Sequence, residues 1–193
     1  MMKFIRIFLV VMMTGASAIA STLPECDLKN VTISEEHSFT GDTFYVNVNN
    51  TYANRKCIGN LFLENKGVKI KGVETPQALW IHKECQFIED KKKQLECSAK
   101  KKCQRASRIE KDNCVRESLC LHDLSIKSKQ YIADTLKNHA VDLKNCEQSR
   151  YSKKIICDVI VDNSKVLSTM IIENGHGVKF SKDTKPKFNA CKR

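Results

Sequence analysis

Residues 40–48 read Thr-Gly-Asp-Thr-Phe-Tyr-Val-Asn-Val, and the rest of the chain can be interpreted outward from this stretch. Phe44, Val46 and Val48 alternate with more polar residues, which is the period of two expected of a strand with one buried face. Gly41 stands just before them as a turn residue. We therefore predict a strand that leaves a turn at Gly41 and packs its apolar face on a core.

Two more strands are predicted downstream, over 61–64 and 68–73, on either side of the Asn-Lys-Gly sequence at 65–67. Asn and Gly accept the positive φ angles of tight turns, so these residues favour a hairpin. Lys69 and Lys71 share one face of the second strand, because side chains two apart lie on the same side of a strand.

The C-terminal half of the chain mixes helical and strand patterns. A helix is predicted over 125–138 and paired strands over 141–146 and 155–161. A second helix is predicted to begin with Ser164 as its N-cap and to stop at the Asn-Gly sequence of 174–175. Together with the strand-rich first third, this predicts an α+β fold.

Residues 83–117 differ in character from the rest of the chain. They hold 11 Lys or Arg and 7 Asp or Glu, with no Gly or Pro. This predicts a charged, disulfide-stapled helical insertion at about 83–120. Its lysine runs at 91–93 and 100–102 are interpreted as solvated helix faces, with a nucleic-acid-binding patch as the alternative.

Composition excludes several classes of protein. The chain has 193 residues, of which 41% are hydrophobic and 28% charged, as in an ordinary globular domain. A disordered chain, a collagen and a polytopic membrane protein are excluded. The formal net charge of +11 favours anionic partners such as nucleic acid or an anionic surface.

The ten cysteines predict a disulfide framework formed in an oxidising compartment. Spacing leaves their pairing open; we expect Cys85 to pair with Cys146, since the root of the insertion needs an anchor on the strand before Tyr151. Helix ends or turns are expected where cysteines are six residues apart. The cysteines are Cys26, Cys57, Cys85, Cys97, Cys103, Cys114, Cys120, Cys146, Cys157 and Cys191.

Two histidine-containing patterns are given a structural interpretation. The same oxidising compartment favours disulfides over a zinc site, so no zinc is expected. The zinc-type ligands considered are His82, Cys85, Cys120 and His122. His176, between two glycines, is interpreted as a solvated turn histidine rather than a catalytic one.

The first twenty residues have the pattern of a secretory signal peptide. Lys3 and Arg6 flank the start of an apolar stretch over 4–13, and Ala-Ile-Ala at 18–20 resembles a cleavage site. No later segment reaches the roughly 20 apolar residues of a transmembrane helix. We therefore expect a secreted or periplasmic domain over 21–193, with an uncleaved membrane anchor as the alternative.

Three stretches, in order, resemble the thermonuclease (staphylococcal nuclease-like) family. Thr-Gly-Asp-Thr at 40–43 is similar to the family's Asp-Gly-Asp-Thr, and 68–77 to its strand leading to Asp-x-Pro-Glu. Arg-Tyr-Ser-Lys at 150–153, with the strand and helix that end in Glu-Asn-Gly at 173–175, resembles its Tyr-Gly-Arg region. The resemblance covers about 32–180. It implies a five-stranded OB-type antiparallel barrel with packed helices and the Cys-rich segment inserted after the proline loop.

The resemblance also implies a catalytic site for phosphodiester hydrolysis. The family holds Ca²⁺ with two carboxylates and a backbone carbonyl, activates water with a Glu and binds the phosphate with two Arg. The metal positions correspond here to Asp42, Glu74 and the carbonyl of Thr75. The base position corresponds to Gln77, and the two Arg positions correspond to Lys69 and Lys153.

These substitutions predict a degraded site. The amide of Gln77 cannot accept a proton, and lysine does not bind two phosphate oxygens in the planar fork of arginine. The protein is therefore predicted to hold single-stranded nucleic acid or another polyanion without efficient cleavage. The residues assigned to binding are Lys69, Lys71, Arg150, Tyr151, Lys153 and Lys154.

Two alternatives stay open at this point. In the first, Glu74 acts as the base and the protein is an active Ca²⁺-dependent nuclease. In the second, the Cys-rich insertion is the contact surface of a secreted interaction protein. Deletion of 91–111 is expected to leave barrel-based binding intact and so to separate the second alternative from nucleic-acid binding.

Overall fold

The fold is taken from a computed structural model. It describes residues 26–28, 31–34, 41–58, 64–149, 152–182 and 186–191. The predicted signal peptide and the candidate residues Arg150 and Tyr151 lie outside the described residues.

Within these ranges the elements follow one another in a mixed order. The strands are β1 (Cys26–Leu28), β2 (Val31–Ile33), β3 (Thr43–Val48), β4 (Lys66–Ile70), β5 (Val73–Glu74), β6 (Val141–Gln148), β7 (Ile155–Val161), β8 (Lys165–Val166) and β9 (Val178–Lys179). The helices are α1 (Tyr52–Ile58), α2 (Lys91–Lys102), α3 (Arg108–Asn138) and α4 (Leu167–Glu173), with short 3₁₀ turns at Lys83–Cys85 and Asn189–Cys191. The predicted α+β class is confirmed.

The main sheet runs in the order β1-β6-β7-β4-β3-β2, and β8 pairs with β7. Only two residues separate β1 from β2 in sequence, yet they lie at opposite ends of this six-stranded path. The sheet is therefore strongly curled into a half-barrel. It is mixed, because β4 and β7 run parallel, with Val68 opposite Ile155. The expectation of an all-antiparallel sheet is wrong at this pairing, and the path has six strands rather than five.

The core fills the inside of the curl. Phe44, Val46 and Val48 are all buried, which confirms the alternation predicted for β3. Leu143 on β6 and Val159 on β7 face the same core, so the predicted pair of C-terminal strands is also confirmed. Two helices cover it with the buried side chains of Ile132, Leu136, Leu167 and Ile171.

The predicted hairpin at 65–67 is wrong. Gly67 lies inside β4 and pairs with Tyr45 of β3. A Cβ on Gly67 would stand 3.1 Å from Cγ of Lys154 and 3.4 Å from Cε1 of Tyr45, so the glycine permits close approach within a strand rather than a turn. The strand ends at Ile70, which places Lys71 in the turn to β5. Glu64 is not in a strand, and 61–63 lie outside the described residues.

Helix α3 joins two segments that the sequence pattern separated. It has 31 residues and begins with a capping box between Ser107 and Glu110, and it includes both the end of the predicted insertion and the predicted helix over 125–138. Helix α4 begins later than predicted. Its N-cap is Val166, because Ser164 is used in the preceding turn, where its Oγ bonds the carbonyl of Asp162 at 3.4 Å. The predicted stop at Asn174 and Gly175 is confirmed, with φ of +72° at the glycine.

All ten cysteines form disulfides, as predicted. The expected pairing of Cys85 with Cys146 is wrong, because β6 and β7 place Cys146 beside Cys157, with Cα atoms 4.2 Å apart. Cys114 and Cys120 both lie inside α3, so no helix end separates them. The pairs are Cys26–Cys57, Cys85–Cys97, Cys103–Cys114, Cys120–Cys191 and Cys146–Cys157. None of the helices in the described ranges is both long and apolar enough to cross a bilayer.

His176 is not the solvated turn residue that the sequence indicated. Its ring stacks on that of Tyr131 with centroids 4.5 Å apart, and its carbonyl accepts a hydrogen bond of 2.5 Å from Oγ of Ser128. Nδ1 of the ring is buried without a hydrogen-bond partner in the described part of the chain. Burial, and then the nearby charge of Lys127, lower the pKa of His176 below the ordinary histidine value.

We therefore expect the free energy of unfolding to decrease as the pH falls below about 6.5. The unfolded chain takes up a proton on His176 near that pH, whereas the folded protein resists until its lowered pKa is reached, so protons favour unfolding in this window. Urea unfolding at about pH 7.5 and about pH 5 measures the loss. Between these two pH values, the His176→Gln variant should lose less free energy of unfolding than the wild type. An equal loss in both proteins would contradict the prediction.

Candidate functional site

One cleft of about 1200 Å³ collects most of the residues singled out from the sequence. It lies between the curled sheet and the helical insertion, and α3 forms one wall. The sequence-predicted residues that line it are Asp42, Lys69, Glu74, Thr75, Gln77 and Lys154. These residues come from four separate parts of the chain, so the fold brings the predicted site together.

The loop at Gly41 and Asp42 is held tightly at the floor of the cleft. Gly41 has φ of +42°, and a Cβ there would collide with Oγ1 of Thr75, so only glycine fits. The carbonyl of Asp42 accepts a hydrogen bond of 2.9 Å from the amide of Ile70 in β4. The Asp42 carboxylate is therefore fixed beside the lysine that precedes Ile70.

A short chain of charged and polar groups surrounds Asp42. Nζ of Lys69 lies 3.1 Å from Oδ2 of Asp42, and Oγ1 of Thr43 donates to Oδ1 at 3.2 Å. On the other side, Nζ of Lys154 donates to Oγ1 of Thr43 at 3.4 Å. Lys69 also stands over the ring of Phe180, 5.8 Å from its centroid. Two cations thus flank one carboxylate on the cleft surface.

Strands β5 and β9 fix the part of the cleft next to the Gly41 loop. Glu74 pairs with Val178 across this small sheet. Gly177 packs so closely that a Cβ on it would stand 2.9 Å from the carbonyl oxygen of Glu74 and 2.8 Å from Cγ2 of Val73. Thr75 is buried next to this contact, whereas Gln77 is exposed where the chain leaves it.

Two predicted binding residues lie elsewhere. Lys153 is exposed and does not line the cleft, and its neighbour Lys154 reaches Thr43 instead. Lys71, in the turn after β4, has its Nζ 4.0 Å from Oε1 of Glu147 and is not part of the cleft lining. Lys154 lies directly before β7, and this position directs its side chain across Gly67 towards the cleft.

The structure adds two cleft residues that the sequence analysis did not assign. Lys102 ends α2 and Lys129 lies on α3, and both line the cleft. The insertion is therefore a wall of the site rather than a separate module. Deletion of 91–111 would remove Lys102 from the cleft lining, so it would change the cleft as well as the insertion.

The donor set of the cleft does not fit a tight Ca²⁺ site. Ca²⁺ takes about 6–8 oxygen ligands. Among the described residues, Asp42 and Glu74 are the carboxylates that line the cleft, and Asp42 is already paired with Lys69. Among the residues that the structure describes, no three His, Cys, Asp or Glu side chains are grouped as metal ligands.

The zinc-type residues are engaged in other contacts. Cys85 and Cys120 are both in disulfides, and Nδ1 of His122 accepts a hydrogen bond of 3.1 Å from the amide of Leu79. This last contact attaches the cleft-lining segment around Leu79 to α3.

Comparison with models of known protein families and with curated proteins gave no match to this chain.

Proposed function

We propose that this protein is a thermonuclease-like domain that binds single-stranded nucleic acid in the cleft and cleaves it poorly or not at all. The observation that carries the proposal is the convergence of Lys69, Lys154, Lys102 and Lys129 on a cleft that holds two carboxylates. A cleft with an excess of cations attracts phosphates and releases counterions when it binds them.

The strand order supports an OB-type barrel as the scaffold. Strands β1 and β2 stand at the two ends of the path β1-β6-β7-β4-β3-β2 but are only two residues apart in sequence, as in a sheet that curls towards closure. OB folds bind oligonucleotides with the face of their second and third strands and with the loops between strands one and two and between strands four and five. In this chain Lys69 lies on β4, Asp42 directly precedes β3 and Lys154 directly precedes β7.

Few proton-accepting groups line the cleft in the described part of the chain, which favours binding over cleavage. Gln77 offers an amide where a general base would be needed. The Asp42 carboxylate is already engaged, because it accepts a hydrogen bond from Thr43 and pairs with Lys69. Among the described residues of the cleft lining, this leaves Glu74 as the remaining carboxylate.

We further propose that the protein acts in a secreted or periplasmic setting after signal-peptide removal near Ala20. The support is the use of every cysteine in a disulfide, since such frameworks persist in oxidising compartments. In that setting, the nucleic acid that the protein binds is extracellular or periplasmic.

Binding of a short mixed-sequence single-stranded DNA of about 6 nucleotides is expected to weaken steeply with salt. Three or four phosphate contacts give a slope of log K against log salt of about −2 to −3, at roughly −0.7 per contact. The fluorescence of Trp80, the single tryptophan of the chain, provides a readout because the adjacent Leu79 lines the cleft.

The matched control has the same net charge as the cleft variant. The slope of log K against log salt should be flatter by about 2 in the triple variant with Lys102→Gln, Lys129→Gln and Lys154→Gln. The same substitutions at Lys137, Lys144 and Lys165, which are exposed and lie outside the cleft, should leave it unchanged. Equal effects of the two triple variants would show that only general charge is involved and would refute the proposal.

A further inference from the structure

A second cationic groove lies on the outer side of the helical insertion. Its volume is about 480 Å³, and it is formed by α2 and the beginning of α3. Four lysines and a single glutamate line it, so its charge has the same sign as that of the cleft. The charged lining residues are Lys93, Glu96, Lys100, Lys101 and Lys111.

The groove and the cleft meet at the end of α2. Lys101 lines the groove and Lys102, the next residue, lines the cleft. Consecutive residues of an α-helix point about 100° apart, so the two openings lie on adjacent sides of the same last turn.

Helix α3 connects the two openings as well. Lys111 lines the groove, and Ser118 and Ser125 line the cleft. Steps of seven residues return to nearly the same face of a helix, so these residues share one stripe of α3. Between the two openings the end of α2 covers this stripe, because Cys103 is bonded to Cys114 and its Sγ lies 3.9 Å from Oγ of Ser118. From Lys111 to Lys129, another cleft residue, the stripe is about 27 Å long at 1.5 Å per residue.

The lysines of the groove differ in their availability for a ligand. Lys101 is paired with Glu84. In the described part of the chain, no carboxylate lies within 4.0 Å of the ammonium groups of Lys93, Lys100 or Lys111. Lys93 and Lys100 are exposed and Lys111 is half-buried. Three cations are therefore available beside the cleft without breaking an ion pair of the described structure.

From this geometry we infer that the outer groove continues the nucleic-acid track of the cleft, so that a long single strand passes from Lys129 in the cleft across the last turn of α2 to Lys111 and contacts the insertion on both sides of α2. The inference rests on the proposed function. It assigns to the Cys-rich insertion the role of lengthening the binding site. The disulfides Cys85–Cys97 and Cys103–Cys114 hold α2 in place for this role, because they tie its middle and its end to neighbouring elements.

The test compares two lengths of mixed-sequence single-stranded DNA, about 6 and about 16 nucleotides, within the range that OB-type sites occupy. The wild type should bind the long strand with the steeper salt dependence. Lys93→Gln, Lys100→Gln and Lys111→Gln together should flatten the slope for the long strand by about 2, at roughly −0.7 per contact. If the variant and the wild type bind equally at 1 M salt, this difference in slope makes the variant bind on the order of 100-fold more weakly at 0.1 M salt. Binding of the short strand should change little.

The control variant replaces Lys137, Lys144 and Lys165 by Gln, which removes the same charge from exposed positions outside both openings. If the groove variant and the control variant bind the long strand equally, or if the wild type binds both lengths with one salt slope, the inference is refuted and the proposed function stands. If the wild type binds neither strand more tightly than an unrelated protein of the same net charge, both are refuted. Thermal unfolding of each variant shows whether it is folded.

Discussion

The variant that carries Gln77→Glu, Lys69→Arg and Lys153→Arg is expected to hydrolyse single-stranded DNA on the order of 10²- to 10⁴-fold faster than the wild type in the presence of Ca²⁺. Gln77→Glu supplies a group that can accept a proton, and Lys69→Arg supplies a cleft donor that can bind two phosphate oxygens at once. Lys153 is exposed outside the cleft, so Lys153→Arg is expected to contribute least of the three. Gln77 is exposed on the cleft wall, so a carboxylate there meets little steric resistance.

Because the donor set of the cleft suits only weak metal binding, the rates are measured over a Ca²⁺ titration into the millimolar range. A second variant carries Lys154→Arg in place of Lys153→Arg. It tests which lysine serves the phosphate, since Lys154 is the one that reaches Thr43. Fast cleavage by the wild type that disappears in Glu74→Gln would contradict the degraded-site proposal and favour the active nuclease.

The parts of the fold that could be predicted are those encoded by neighbouring residues. The alternation of Phe44, Val46 and Val48 defines β3 because each buried side chain follows directly from strand geometry. The end of α4 at Asn174 and Gly175 is equally local, since an Asn-Gly sequence suits the left-handed conformation there.

The wrong predictions concern residues whose structure depends on contacts with residues distant in sequence. Gly67 has the local pattern of a turn residue, but Tyr45 and Lys154 approach it from other strands, and this makes it a strand residue. Lys153 and Lys154 are equivalent as sequence, and only the start of β7 decides that the second one reaches the cleft. The residue types of the candidate site could be predicted from the sequence. Which of these residues reach the cleft depends on where β7 begins.

The helical wall of the cleft could not be predicted from the sequence at all. The contribution of Lys102 and Lys129 depends on how α2 and α3 lie across the sheet. Cysteine pairing depends on the same placement, which is why the spacing of cysteines gave no correct pair.

Loss of the Cys120–Cys191 disulfide is expected to destabilise the protein more than loss of any short-range one. This bond has a sequence separation of 71, and the chain-entropy value for such a loop is about 4 kcal/mol, compared with about 3 kcal/mol for Cys103–Cys114, with a separation of 11. The double variants Cys120→Ala, Cys191→Ala and Cys103→Ala, Cys114→Ala form a matched pair, because each removes one bond and leaves no unpaired thiol. Urea unfolding of each, compared with the wild type, gives the two free-energy losses.

The long-range disulfide should also affect binding, because it holds the C-terminal segment against the cleft. Cys191 ends the 3₁₀ turn that follows Phe188, and Phe188 and Pro186 line the cleft. When the bond is removed, these side chains lose their attachment to α3, so the short DNA strand should bind more weakly at a temperature where the variant is still folded. The Cys103→Ala, Cys114→Ala variant keeps that attachment and instead releases the end of α2 beside Lys102, so a loss of DNA binding in it reports on the insertion and not on the C-terminal segment. A smaller stability loss for the long loop than for the short one, together with unchanged DNA binding, would show that the C-terminal segment is held by its packing alone.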